Sequence, residues 1–101
     1  MKLSITCTNN VWTGVIEGRL DTANAILFEK EMQPLLAHAH EEIVLDCSQL
    51  EYISSSGLRL FLTLRKAVEA KGGKMAIEHI NDELRHIFTI TGFFALFDIR
   101  N

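Results

Sequence analysis

The chain has 101 residues, of which 48% are hydrophobic and only one is proline, so it suits a single domain and excludes disorder. The formal net charge is −3 and no basic run exceeds two residues, which gives no electrostatic support to nucleic-acid binding. No apolar stretch approaches the roughly 20 residues that span a bilayer, and the N-terminus lacks a signal-peptide pattern. We therefore expect a cytoplasmic protein without direct membrane insertion, in which Cys7 and Cys47 are buried, reduced thiols.

The first predicted elements are a β-hairpin and a helix. Residues 3–8 and 11–17 are rich in strand-forming residues, and the asparagine pair between them tolerates the positive φ of a tight turn. Asp21 or Thr22 is then expected to cap a helix, which Pro34 should bend or break just before its own position. The apolar members of this helix are Ala23, Ile26, Leu27, Leu35 and Leu36.

The second half of the chain predicts alternating strands and helices. An apolar strand of the buried kind occupies residues 42–47, and Asp46 should cap the turn that follows it. The remaining elements are a helix at 56–70 that ends at paired glycines, a strand at 74–80, a helix at 81–91 capped by Asn81, and a strand at 95–100. The order ββαβαβαβ predicts one α/β domain over residues 1–101, with a mostly parallel sheet, helices packed on it and an antiparallel N-terminal edge hairpin.

Three serines and a glycine, residues 54–57, occupy the junction at which the helix at 56–70 begins, after the strand at 42–47. A helix start needs one side-chain acceptor for its first amides, and serine is among the best residues for this purpose. Three in a row leave at least one hydroxyl free to face solvent, at the carboxyl ends of the strands where sites usually form. The residue types alone leave plain capping and a functional role open.

Enzymatic uses of this junction do not fit the sequence. A nucleophilic Ser55 would need glycine two residues before it, where Ile53 stands, and no acid and histidine follow in a convincing order. A phosphorylated Asp46 would need a divalent cation held by further carboxylates, and the first strands offer no acidic pair. His38 and His40, two residues apart, match no known ligand spacing, and no nucleotide-binding loop is present. We expect no enzyme, no cofactor and no metal.

The helix at 56–70 has two clear stripes. Its solvent stripe consists of Arg59, Thr63, Lys66 and Ala70, and its core stripe consists of Phe61, Leu64 and Val68. Leu58 and Leu62 are apolar as well, and they flank the polar stripe beside Arg59 and Arg65. Either the helix is buried across a wide arc, or these leucines form the apolar centre of a docking surface with a basic rim.

Several segments taken together resemble a known family. They are "YISSSGLRLFL" with the glycine pair after its helix, "IFTITGFFALFDI" near the C-terminus, and "GRLD" at the end of the second strand. Over nearly its whole length the chain resembles the STAS domains, and among them the stand-alone anti-sigma factor antagonists, also called anti-anti-sigma factors. The order of elements agrees with this resemblance independently.

The resemblance implies that a serine at the junction is phosphorylated by a partner that is both a serine protein kinase and an anti-sigma factor. The family pattern is Asp-Ser-Ser/Ala-Gly-Leu, and its first serine is the acceptor. Laid onto this chain, Ser54 takes the place of the aspartate, Ser55 is the acceptor, and Ser56 and then Ser54 are the second choices. A separate serine phosphatase would reset the switch, and the implied partner-binding residues are Asp21, Thr22, Ser54, Ser56, Gly57, Leu58, Arg59 and Leu62.

This partner switching would regulate transcription, because binding of the unphosphorylated protein occupies the anti-sigma factor and phosphorylation releases it. The same resemblance allows other roles. Stand-alone STAS domains also serve as accessory subunits of membrane lipid-transport ATPases, as components of stress-signalling assemblies, and as small-molecule-binding modules. In the transport role the helix face would still dock, but the serine would not need to be phosphorylated.

Overall fold

The computed structural model describes residues 1–100 and has the predicted order of elements. The strands are β1 (Lys2–Thr8), β2 (Val11–Leu20), β3 (Glu42–Ile53), β4 (Lys74–Glu78) and β5 (Asp98–Arg100). The helices are α1 (Ala25–Glu31), α2 (Gln33–Ala37), α3 (Ser55–Lys71) and α4 (Asp82–Thr91), followed by a 3₁₀ turn at Phe93–Ala95.

The five strands lie in one sheet in their sequence order. β1 is antiparallel to β2, whereas β2, β3, β4 and β5 are parallel to one another. Because each right-handed crossover moves one strand further in the same direction, all the helices lie on one face of the sheet. The α/β class, the parallel sheet and the antiparallel edge hairpin are therefore confirmed, and the carboxyl ends of β2 and β3 lie side by side.

The hairpin turn follows the sequence closely. Asn9 and Asn10 have φ values of 53° and 64°, as a two-residue turn with two left-handed positions requires. The turn sets the register in which Thr8 pairs with Val11 and Lys2 pairs with Glu17.

The start of the first helix differs from its prediction. α1 begins at Ala25, and neither Asp21 nor Thr22 caps it. Instead, the Asp21 side chain accepts a hydrogen bond from Asn24 N–H at 3.0 Å, and the Asn24 side chain accepts one from Asp21 N–H at 2.9 Å. This reciprocal pair closes a turn before the helix, because both side chains find backbone donors nearer than the helix start. The predicted break before Pro34 is confirmed, since α1 ends at Glu31 and α2 starts at Gln33.

β3 is longer than predicted. Asp46 accepts a hydrogen bond from Ser48 N–H at 2.9 Å, as expected of a turn, yet the strand continues to Ile53. The register with β2 shifts at this point, because Val15 pairs with Asp46 whereas Glu17 pairs with Gln49. One more residue lies on β3 than on β2, which makes the local bend a β-bulge inside the strand.

The C-terminal part is also more irregular than a strand at 95–100. Gly92, at φ 77°, ends α4, the 3₁₀ turn follows, and β5 comprises only three residues. Phe97, which the predicted strand included, is buried with its ring centroid 5.4 Å from that of Phe93, and it precedes β5, so only the second half of the predicted strand is confirmed. The predicted cap of α4 is confirmed, because Asn81 Oδ1 accepts from Leu84 N–H at 2.8 Å.

The core lies between the helices and the sheet. Its largest fully buried side chains include Phe28 of α1, Phe61 of α3 and Phe88 of α4. Cys47 belongs to this core, and its burial, followed by the charge of Asp46, raises the pKa of the thiol to about 12. The expectation that both thiols are buried is wrong for Cys7, because that residue lies exposed on the edge strand β1.

Candidate functional site

The serine junction lies beside the turn that follows β2. Leu20 and Ile53 are register partners at the ends of β2 and β3, and Ser54 N–H donates to the Leu20 carbonyl at 2.8 Å. The hydrogen bond fixes the serine junction against the turn that contains Asp21. The structure therefore brings together two segments that are more than 30 residues apart in the sequence.

Ser54 is the residue that caps α3. Its backbone is extended and its hydroxyl accepts a hydrogen bond from Gly57 N–H at 3.2 Å. The residue is only 7% exposed, so its hydroxyl is enclosed as well as occupied. Ser54 therefore has a structural role as the cap of α3, and it is less accessible to a kinase or a partner than the exposed Ser55.

Ser55 and Ser56 begin the helix, and their environments differ. Ser55 is the first residue of α3 and is exposed, whereas Ser56 is half-buried. Neither hydroxyl forms a hydrogen bond with another of the residues 1–100. The junction thus presents Ser55 at the tip of the helix, while Ser54 holds the helix start in place.

Gly57 keeps the helix close to the strand ends. A Cβ added at this position would lie 2.8 Å from Leu20 Cγ and 2.8 Å from Ile53 Cγ1, closer than real carbon contacts allow. The residue is buried, and the absence of a side chain lets α3 approach the sheet, while its expected contact with a partner stays a prediction.

α3 is buried across a wide arc. Leu58 is only 6% exposed and belongs to the core, as Leu60 does, while Leu62 is half-buried. The predicted solvent stripe that begins at Arg59 is exposed as expected. The expectation that Leu58 forms part of the apolar centre of a docking surface is therefore wrong, because its side chain already packs inside the domain, whereas the contribution of Leu62 stays a prediction.

A groove between α1 and α3 runs beside the serines. It encloses a volume of about 320 Å³ and is lined by Thr22, Ala25, Ile26, Glu29, Ser56, Arg59 and Leu60. Three of the residues expected to bind a partner, Thr22, Ser56 and Arg59, meet in this groove. We call it the α1–α3 groove.

The sequence-based prediction of partner-binding residues missed four residues of this groove, Ala25, Ile26, Glu29 and Leu60, of which Ile26 is the exposed large apolar one. Its side chain is 78% exposed, an unusual position for an isoleucine at the edge of a groove. The signal was present in the sequence: Ala25, Phe28 and Met32 follow helical spacing, and all three are buried. That spacing places Ile26 on the other side of α1, facing outward.

The arginines near the groove differ in whether their guanidinium groups already have partners. Arg65 is paired with Glu69 at 2.8 Å and also donates to the Leu96 carbonyl, so it is held on α3 away from the serines. The Arg59 guanidinium forms no ion pair or hydrogen bond with the other residues in 1–100. Arg19, on β2, lies over the Tyr52 ring at 4.4 Å. The predicted basic rim is therefore reduced to Arg59.

Within residues 1–100, the histidine, cysteine and carboxylate side chains outside the groove do not form a second site. Over the described range 1–100, no three His, Cys, Asp or Glu side chains form a group that could hold a metal ion. His38 stacks on Trp12 at 3.8 Å between ring centroids, at the opposite end of the parallel strands from the serines. No helix in this range is long and apolar enough to cross a membrane.

Comparison with known proteins gives the family. The model of the STAS domain matches residues 2–101, so the chain belongs to the STAS domain family. BtrV of Bordetella bronchiseptica, named as a proposed anti-sigma factor antagonist, is 30% identical over 101 residues, which is all of this chain and 87% of that protein.

Two solved structures show the same fold. A proposed anti-sigma factor antagonist from Thermotoga maritima matches with a TM-score of 0.89 and 22% identity, over 98% of this chain and 86% of that one. The Bacillus cell fate determinant SpoIIAA in its phosphorylated form matches with a TM-score of 0.73 and 17% identity, over 99% of this chain and 92% of that one.

Proposed function

We propose that this protein is an anti-sigma factor antagonist that binds an anti-sigma factor with serine kinase activity and releases it when Ser55 is phosphorylated. The observation that carries the proposal is that Ser54 and Ser55 have different environments at the junction. Ser54 caps α3 with a buried hydroxyl, while Ser55 stands exposed one residue later with no partner of its own in residues 1–100. A helix cap needs only the first of these hydroxyls.

The relatives support this assignment. BtrV, which matches over the whole of this chain and 87% of its own length, is named as a proposed anti-sigma factor antagonist. SpoIIAA, which shares the fold, has been solved in a phosphorylated form, so phosphorylation occurs in a protein built in this way. On this proposal the chain is a regulator and a kinase substrate in the cytoplasm, and a separate serine phosphatase restores the free hydroxyl.

The α1–α3 groove supplies the docking surface in this proposal. Ile26 offers an exposed apolar side chain at its edge, and complete burial of such a side chain stabilises a complex by about 1.5–3 kcal/mol. Arg59 and Glu29 place opposite charges at the rim, which favours one orientation of the partner. Leu62 is half-buried on α3 and is not among the residues that line the groove, so its expected contact with a partner is separate from this surface.

Phosphorylation acts on the interface and leaves the fold intact. The phosphate adds about −1.5 to −2 charges at pH 7, at the N-terminus of α3, where a negative charge is favourable by roughly 0.3–1 kcal/mol. Removal of that charge from water against an unsuited partner surface costs several kcal/mol. Since about 1.4 kcal/mol is a tenfold change in affinity, a loss of two or three decades needs no change of shape.

The test is to capture partners from a lysate of the source organism with the wild-type protein, Ser55→Ala and Ser55→Asp. The proposal expects an anti-sigma factor with a kinase domain on the first two baits and its loss from the third. Addition of ATP to the purified complex should then phosphorylate Ser55, as mapped by mass spectrometry. A lipid-transport ATPase retained equally by all three baits would identify an accessory subunit and contradict the proposal.

A further inference from the structure

We propose that Arg59 is the internal counter-ion of phosphorylated Ser55, so that phosphorylation draws its guanidinium out of the α1–α3 groove. The inference rests on the proposed function for the phosphorylation itself. It adds a second route by which the phosphate alters the docking surface: a negative charge appears next to Ser56, which lines the groove, and the groove loses the unpaired charge of Arg59.

The spacing on α3 places the two side chains together. Ser55 and Arg59 are separated by four residues within one regular helix, so they lie on the same face with Cβ atoms about 5–6 Å apart. Long helical side chains lean toward the N-terminus, which directs the Arg59 guanidinium at the turn that carries Ser55. The acidic group is N-terminal to the basic one, which is the more favourable order for such pairs.

Arg59 is also the cation that is available. It is exposed, and its guanidinium has no ion pair or hydrogen bond within residues 1–100. Arg65 on the same helix is already paired with Glu69 and the Leu96 carbonyl. Arg19, on the neighbouring strand, lies over Tyr52. The planar guanidinium of arginine forms two parallel hydrogen bonds with a phosphate, whereas the ammonium of lysine acts as a single point charge on a flexible side chain.

An ion pair between Arg59 and phosphorylated Ser55 would change the charges that line the α1–α3 groove. Arg59 lines it together with Ile26 and with Glu29, the carboxylate that faces it from α1. Before phosphorylation, Arg59 is the rim cation that meets an acidic group on a partner. Once the phosphate is present, a dianion outcompetes an exposed carboxylate for the same guanidinium. The partner then faces the negative charges of Glu29 and the phosphate, and the Arg59 guanidinium is no longer available to bind its acidic group.

The experiment uses the whole chain with phosphoserine incorporated directly at position 55, so that no kinase or partner is needed. A ³¹P NMR titration gives the second pKa of the phosphate in the wild-type protein and in Arg59→Gln. We expect Arg59→Gln to raise this pKa by about 0.3–0.7 of a pH unit, as the loss of one exposed ion pair implies. Arg59→Lys should recover part of the shift.

The matched control is Arg65→Gln, which removes the same charge from the same helix at a residue that faces Glu69. This control should leave the phosphate pKa at its wild-type value. The proposal would be overturned if Arg59→Gln and Arg65→Gln gave the same phosphate pKa. It would also be overturned if Arg59→Gln changed the phosphate pKa only in a protein that carries phosphoserine at position 56 instead of position 55. The titration is independent of partner binding, so a partner that ignores Ser55 phosphorylation contradicts the proposed function without altering this result.

Discussion

Three consecutive serines occupy three environments, and the geometry of the helix start sets the difference. Ser54 has extended backbone angles and points its hydroxyl back at Gly57 N–H, whereas Ser55 is already helical and points outward. Ser56 lies half-buried at the edge of the α1–α3 groove. A single hydroxyl, that of Ser54, therefore caps the helix, and the hydroxyl of Ser55 lies exposed at the surface.

At this scale we predict that Ser54→Ala lowers the free energy of unfolding by about 0.5–2 kcal/mol, because the helix loses its capping acceptor. Ser55→Ala should change it by less than about 0.5 kcal/mol, as expected of an exposed side chain without a partner. Urea unfolding followed by circular dichroism gives both values. Equal losses in the two variants would contradict the assignment of the cap to Ser54.

The two cysteines provide a second prediction for single residues. Cys7 is exposed, whereas Cys47 is buried with its pKa raised to about 12 by burial and the nearby Asp46 charge. A thiol-labelling reagent at pH 8 should therefore modify one cysteine of the native protein, identified as Cys7 by peptide mapping, and both in urea. Rapid native labelling of Cys47 would show that the core opens far more easily than its packing implies.

At the scale of elements, turn and cap residues in the sequence predicted the boundaries that depend on local hydrogen bonds and backbone angles. The asparagine pair, the Asn81 cap and Gly72 at φ 76° mark boundaries that the structure confirms. The extension of β3 past Asp46 escaped prediction, because the bulge depends on pairing with β2, far away in the sequence. The outward position of Ile26 follows from helical spacing, but its meeting with Arg59 depends on how α1 packs on α3.

Gly57→Ala tests the contact between α3 and the strand ends. Alanine is normally better than glycine inside a helix by roughly 0.5–1 kcal/mol. Here the added Cβ would lie 2.8 Å from Leu20 and Ile53 side chains, and overpacking typically costs about 1–3 kcal/mol. We therefore expect a net loss of stability in urea unfolding. A stabilised Gly57→Ala, with Ser56→Ala as the neutral control, would show that α3 does not approach the sheet this closely.

Across the whole molecule, the candidate site is formed by segments that follow two neighbouring strands, and these segments meet because the strands are parallel and end at the same edge of the sheet. β2 ends beside β3, so the turn at Asp21, the start of α1 and the serines of α3 share one edge. Ile26, Arg59 and Ser55 then lie at the same end of the fold without contributing to its core. Substitutions of these three should separate binding from stability.

Ile26→Asp provides that separation at the groove. Ile26 is 78% exposed, so the change should leave the melting temperature nearly unchanged while it lowers affinity for the captured partner by at least tenfold. Ile90→Asp is the matched control, because Ile90 is 68% exposed on α4 outside the groove. Equal affinities of the two variants, measured by calorimetry, would place the docking surface elsewhere.

The most direct test of the central claim is the affinity of the captured anti-sigma factor for this protein with serine and with phosphoserine at position 55, alongside the two melting temperatures. We predict that phosphorylation weakens binding by two to three decades, because the phosphate must be desolvated at the interface. The melting temperature should change little, since the phosphate lies at the exposed start of α3. Unchanged affinity, or a loss of affinity accompanied by unfolding, would contradict a switch that acts at the surface.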